Sequence, residues 1–369
     1  VHHGCGHEAL KCFKHMRDLG IGPNVVTYIC ILKACGIVGS LEMGEDLDIE
    51  VRKHGLLQKE VMLGNALVDM YSKCGALEKA HEVFLQLPEQ NVISWNAMIT
   101  GYVHHGLGYE ALKYFKKLQD ARICPDVVTY ICVLKACGIV GSLEVGKDID
   151  TEVRRQGLLQ KDILLGTTLV DMYSKCSAIQ KAQEIFEQLP VQNVASWTAL
   201  MTAYAQSGKA GRVLELFTQL ISRGITPDLV TILVVLSACN HAGLVDEGQI
   251  IFDAIEQWYC LDPSIEHYNC MVDLFSRAGH FDKVVTMIVR MPMHDYLPMW
   301  TALLGACQKW GNVYLGRLAF DHAIQCDRKH VGTYICMRNI YAAAMMQEEA
   351  EKIEAMRVKI EGPLEVEEL

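Results

Sequence analysis

The sequence has no apolar run of ~18 residues, the length a membrane-spanning helix needs. Its longest candidate, Leu229–Cys239, is interrupted by Thr231 and Ser237 and predicts a buried helix. No membrane is therefore expected among its partners. It also lacks both C-x-x-C and H-x-E. Zinc nucleobase deaminases need those patterns, because zinc holds the attacking water and a Glu shuttles the proton. A P-loop and a G-x-S-x-G are missing as well, so no cofactor is implied and the chain is not expected to be an enzyme. Basic residues are outnumbered, 34 Lys and Arg against 44 Asp and Glu, for a net charge of −10. That balance counts mildly against nucleic acid, although a folded chain can collect its positive charge in one stripe.

Cysteine is plentiful, with 15 in 369 residues, but it does not read as a disulfide framework. The cysteines recur inside apolar helical patterns. Ala34-Cys35, Ala136-Cys137, Ala238-Cys239 and Ala306-Cys307 share one repeat position. Small residues at a recurring position let helices approach closely, which predicts reduced packing cysteines. His3 and His7 around Cys5 suggest a metal site at first sight. However, a copy 102 residues on replaces His7 by Tyr109 while keeping His2-His3 as His104-His105, so packing or surface is expected there.

That copy belongs to a long internal repeat. Val25–Gly44 (VVTYICILKACGIVGSLEMG) returns as Val127–Gly146 with two differences, and Leu67–Cys74 (LVDMYSKC) returns unchanged as Leu169–Cys176. A weaker third copy starts at Leu229. Each 102-residue period divides into units of about 36, 31 and 35 residues, as in 25–60, 61–91 and 92–126. The unit 92–126 shows how each one works. Trp95, Met98, Ile99 and Tyr102 follow a helical period. Gly106 and Gly108 are expected to mark a turn. Ala111, Leu112, Tyr114, Phe115 and Leu118 form a second amphipathic helix, and Pro125-Asp126 interrupts the chain. One such hairpin cannot cover its own apolar face, whereas a row of them can. The expected fold is all-α.

The segments VVTYICVLKACG, LVDMYSKC, SWNAMITGY and GITPD (Gly224–Asp228) resemble the plant organellar pentatricopeptide repeats, in the subclass that alternates P, L and S repeats. The resemblance runs over nearly the whole chain. It implies a right-handed α-solenoid superhelix of stacked helix-turn-helix repeats. Residues 1–24 would be a partial P repeat, 25–296 the P/L/S array, 297–362 an E-like pair of repeat-like hairpins and 363–369 a tail. Because it opens at Val1 inside a repeat, the chain is expected to be a segment of a longer one. No targeting peptide is visible, and that says nothing about compartment.

The resemblance also implies a function, sequence-specific binding of single-stranded RNA with about one base per hairpin. The fifth and last residues of each repeat would read the base. Asn65 with Asn91 implies a pyrimidine, Asn96 with Asp126 U, Thr167 with Asn193 A, and Thr198 with Asp228 G. Asn269, paired with the unusual Tyr296, implies only a weak pyrimidine preference. The L repeats carry Ile29, Ile131 and Leu233 at the fifth position, where no hydrogen bond to a base is available. The expected core is thus YUnAGnn (Y, pyrimidine), running 5′ to 3′ from N- to C-terminus. Val26, Ile93, Val128 and Val230, at the second position, would flank the bases as apolar wedges, and Glu266 breaks that pattern. Lys73, Lys175 and Arg277 share the thirteenth position of the S repeats. They are either phosphate contacts or solvated cations near a helix C-terminus. The polar fifth residues have a second reading too, as helix caps.

By the same resemblance, the RNA would be a site for organellar C-to-U editing in a mitochondrion or chloroplast. A deaminase supplied elsewhere could dock on the E-like region, since the catalytic domain that often follows this architecture is not in the chain. Two alternatives stay open, a protein-binding scaffold and a factor for RNA stabilisation or splicing. Against the scaffold, unit lengths of 31, 35 and 36 do not match the 34-residue tetratricopeptide period.

Overall fold

The computed structural model describes residues 6–291 and 296–361. His2, His3, Cys5 and the 363–369 tail lie outside the described residues. Twenty-one α-helices and no strand occur among those described. They fall into two compact units, Val1–Gln192 and Asn193–Leu369.

The first unit holds α1 (Gly6–Asp18), α2 (Val25–Val38), α3 (Leu41–Lys53), α4 (Val61–Lys73), α5 (Leu77–Gln86), α6 (Val92–His104), α7 (Gly108–Asp120), α8 (Val127–Val140), α9 (Leu143–Arg155), α10 (Ile163–Lys175) and α11 (Ile179–Gln188). The second holds α12 (Val194–Gln206), α13 (Ala210–Ser222), α14 (Leu229–Ala242), α15 (Val245–Gln257), α16 (Ile265–Ala278), α17 (Phe281–Arg290), α18 (Leu297–Trp310), α19 (Val313–Cys326), α20 (Val331–Ala343) and α21 (Gln347–Glu361). Each even-numbered helix opens a hairpin and packs on the next even-numbered helix within its unit, α2 on α4, α4 on α6 and so on. Within each unit the even helices therefore form one layer of stacked helical hairpins.

Local chemistry sets the starts of these helices. Asn24, Asn91, Asp126, Asp162, Asn193 and Asp228 each stand just before an even-numbered helix, and each side chain accepts a backbone N–H of the first turn. Such caps satisfy donors that the helix itself leaves unpaired. Asp126 and Thr129 make a reciprocal capping box. Pro23, Pro125 and Pro227 immediately precede three of the caps and keep the incoming chain extended.

The expected turn at Gly106 and Gly108 is half right. Gly106 is left-handed, with φ 72°. Gly108 instead begins α7, and its role is close approach. A Cβ there would lie 2.6 Å from Val140 Cγ1 and 3.0 Å from the Ala136 carbonyl oxygen. Gly101 does the same for α6 on α4, since a Cβ there would lie 2.5 Å from Ser72 Cβ. Gly101→Val is thus expected to destabilise the first unit by about 1–3 kcal/mol through overpacking. The check is the thermal midpoint by circular dichroism, and an unchanged midpoint would mean that α4 and α6 separate at no cost.

The packing cysteines are where the repeat pattern put them. Cys35, Cys137, Cys239 and Cys307 are buried. Burial pushes the Cys35 and Cys239 thiols up to about 11 and those of Cys137 and Cys307 up to about 12, so they stay protonated near neutral pH. A buried polar clasp also recurs. Tyr71 donates to Asp48 at 2.9 Å and Tyr173 to Asp150 at 2.8 Å. Each aspartate also holds an arginine four residues on, Arg52 and Arg154. The clasp ties α3 to α4 and α9 to α10.

Candidate nucleic-acid interface

In the first unit the even-numbered helices α2 to α8 place second and fifth residues of successive hairpins on one face. That face carries a groove of about 350 Å³ between α2, α4, α6 and α8. Ile29, Asn65 and Asn96, all fifth residues, line it. So do Met62, Ile93 and Val128, all second residues.

The apolar side chains at the second position are unusually open to solvent. Val26, Ile93, Val128 and Val230 are between 51% and 66% exposed. Met62 and Leu164, at 69% and 59%, belong to the same set. They were not singled out in the sequence, although the repeat register alone places them at position two. Glu266 is exposed at that position and brings a charge where the others are apolar.

Beneath these residues sit the polar pairs. Asn96 Nδ2 donates to Asp126 Oδ1 at 2.9 Å, and Asn96 Oδ1 accepts from Thr129 Oγ1 at 2.7 Å. Thr198 meets Thr231 Oγ1 at 2.7 Å, and Thr231 donates to Asp228 Oδ1 at 2.7 Å. The third residue of the following hairpin therefore joins each of these networks. Thr129 and Thr231 are site residues that sequence reasoning passed over, although the VVT and LVT openings of the copies repeat the threonine. Asn65 Nδ2 reaches Asn91 Oδ1 at 3.3 Å, a longer bond to a neutral acceptor. Ser94, at the corresponding third position, turns away to donate to the Asn91 carbonyl at 2.7 Å.

The remaining members are placed separately. Thr167 lies in the first unit and donates to the Ile163 carbonyl at 2.9 Å. Asn193 opens the second unit and caps α12 through Ser196 N at 2.9 Å. Tyr296 precedes α18 and makes no side-chain cap. The oxygens of Asn65 and Asn269 find no hydrogen-bond partner among the described residues, so both amides keep bonding capacity.

These positions resolve the capping question. The caps are the repeat-end residues, while the fifth residues lie inside their helices. Asn65, Asn96 and Thr167 are buried polar side chains with no capping role. The three candidate phosphate contacts each pair with a carboxylate one turn back, Lys73 with Asp69 at 2.7 Å, Lys175 with Asp171 at 2.8 Å and Arg277 with Asp273 at 2.9 Å.

Comparison with known families finds the PPR repeat family at residues 90–138 and 192–241. It finds the pentatricopeptide repeat domain at 2–37 and the PPR repeat at 65–92 and 266–296. Together these matches span just over half of the chain. The chain belongs to the pentatricopeptide repeat family. A putative mitochondrial pentatricopeptide repeat-containing protein of Arabidopsis thaliana is 35% identical over 349 residues, which is 95% of this chain and 56% of that protein. A chloroplastic member from the same plant is 36% identical over 345 residues, 93% of this chain and 46% of that protein. The chain thus spans about half the length of these relatives. Among solved structures, the maize pentatricopeptide repeat protein PPR10 superposes with a TM-score of 0.70 at 18% identity, over 96% of this chain and 57% of that one. PPR10 in complex with an 18-nucleotide psaJ RNA element gives 0.67. The likeness shows the solenoid fold. The groove described above lies on the face formed by the first helices of these pentatricopeptide hairpins.

Proposed function

We propose that the chain binds single-stranded RNA by sequence, with one base at each hairpin read by the fifth and last residues. The observation that supports this most is the groove in which exposed Met62, Ile93 and Val128 alternate with Asn65 and Asn96. Exposed apolar side chains offer faces against which unstacked bases rest. The polar groups between them can meet a base edge, and single strands leave those edges free. The code pairs are Asn65 with Asn91, Asn96 with Asp126, Thr167 with Asn193, and Thr198 with Asp228, giving YUnAGnn. Asn269 contributes a weaker preference.

On this reading the array selects sites for C-to-U editing in a mitochondrion or chloroplast. The P-L-S order of unit lengths supports that assignment, and the deaminase is supplied elsewhere. The two hairpins α18–α19 and α20–α21 form the E-like region on which such a partner would dock.

The test is binding of the chain to an RNA carrying CUnAGnn against a copy with A and G exchanged, at fixed moderate salt. Preference for the first supports the reading and its register. Equal, salt-sensitive binding would leave RNA binding but discard the code. Binding to neither would favour a protein-binding scaffold.

A further inference from the structure

We infer that Lys33 and Lys135 are the groups that hold the RNA backbone in the first unit, an inference that rests on the RNA-binding reading above. Lys33 lines the same groove as Asn65 and Asn96. Lys135 is its copy 102 residues on. They are the ninth residues of α2 and α8, one turn beyond Ile29 and Ile131. Both are exposed, and among the described residues neither pairs with a carboxylate.

The contrast with the neighbouring S-type lysines decides the assignment. Lys73 packs beside Gly36, where its Cδ would be 3.1 Å from a Cβ, and its ammonium is held by Asp69, which does line the groove. Lys175 repeats the packing and the pairing against Gly138 and Asp171. Each L-to-S junction therefore presents two lysines and one carboxylate, and the carboxylate is already taken. The uncompensated charge sits on Lys33 and on Lys135. A phosphate gains more from an ammonium without a partner than from one that must first leave an aspartate.

The placement also gives the L-type hairpins a task. Ile29 and Ile131 cannot hydrogen-bond a base, so these hairpins grip the strand where they do not read it. Lys33 and Lys135 stand three hairpins apart. With one nucleotide per hairpin they would hold phosphates three nucleotides apart, which keeps the register between reading positions.

The experiment measures binding of the whole chain to CUnAGnn RNA and to the A/G-exchanged copy, between about 50 and 200 mM salt. Each phosphate contact on a single strand contributes ~0.7 to the slope of log affinity against log salt. The double variant Lys33→Gln/Lys135→Gln is expected to lower that slope by ~1.4. Wild type would then lose roughly sevenfold more affinity than the variant across this range. The preference for CUnAGnn should stay as in wild type, because no base-reading group is touched. Lys73→Gln/Lys175→Gln is expected to change the slope by less. A wild-type slope in the first variant, or the larger loss in the second, overturns the assignment while leaving sequence-specific binding intact. Failure of the wild-type chain to bind either RNA would instead overturn the RNA reading, and this inference with it. The thermal midpoints of both variants serve as the folding control.

Discussion

Thr198→Asn is expected to move the preferred base at one position from G to U without changing the fold. The first unit supplies the template. Asn96 there spans to Asp126 and accepts from Thr129. At the corresponding place in the second unit, Thr198 is too short to reach Asp228 and makes its contact through Thr231, while also bonding the Val194 carbonyl at 2.8 Å. An asparagine at 198 has the length to reproduce the Asn96 arrangement, because Asp228 and Thr231 stand in the same relation as Asp126 and Thr129. The exchange removes hydrogen bonds suited to one base and installs those suited to another. At about 0.5–1.5 kcal/mol for each bond lost and gained, the U-to-G affinity ratio should shift roughly 5- to 150-fold. Titration with RNAs differing only at that base reads the ratio. Tight binding with an unmoved preference would remove Thr198 from the code. A fall in helicity would make it a packing residue.

Asn96→Ala is expected to weaken binding to the matched RNA by about 1–3 kcal/mol, roughly 5- to 150-fold, if the amide reads a base edge. The local network keeps this loss separate from stability. Without Asn96, Asp126 still accepts from Thr129 N at 2.8 Å and from Thr129 Oγ1 at 2.9 Å, so the cap of α8 survives. Thr129 keeps a partner as well. Affinity should therefore fall while the thermal midpoint barely moves. Unchanged affinity would count against the register in which Asn96 is a fifth residue. Asp126→Ala would not separate the two effects, because that side chain both caps α8 and faces Asn96.

The even-numbered helices begin where the repeat units do, at Val25, Val61, Val92, Val127, Ile163, Val194, Leu229, Ile265 and Leu297. That was legible in the sequence because six of these boundaries rest on near neighbours, a cap accepting from an amide two or three residues on, in three cases after a proline. The pairing of Lys73 with Asp69 and of Lys175 with Asp171 was also open to reading, since residues four apart share a helix face. Singling out the cations alone missed it.

Other features needed the stack. Gly108 looked like a turn residue until α7 was seen pressed on α8, a contact between segments about thirty residues apart. Thr129 lies 33 residues beyond Asn96, and only the packing of α6 on α8 brings its hydroxyl to the amide. Met62 and Leu164 are apolar, yet they stand in solvent because the even-numbered helices leave that face uncovered. The sequence by itself determined the hairpins and their order, through interactions that end within a few residues. Tertiary structure alone decided which residues share a groove, because that depends on how one hairpin lies against the next.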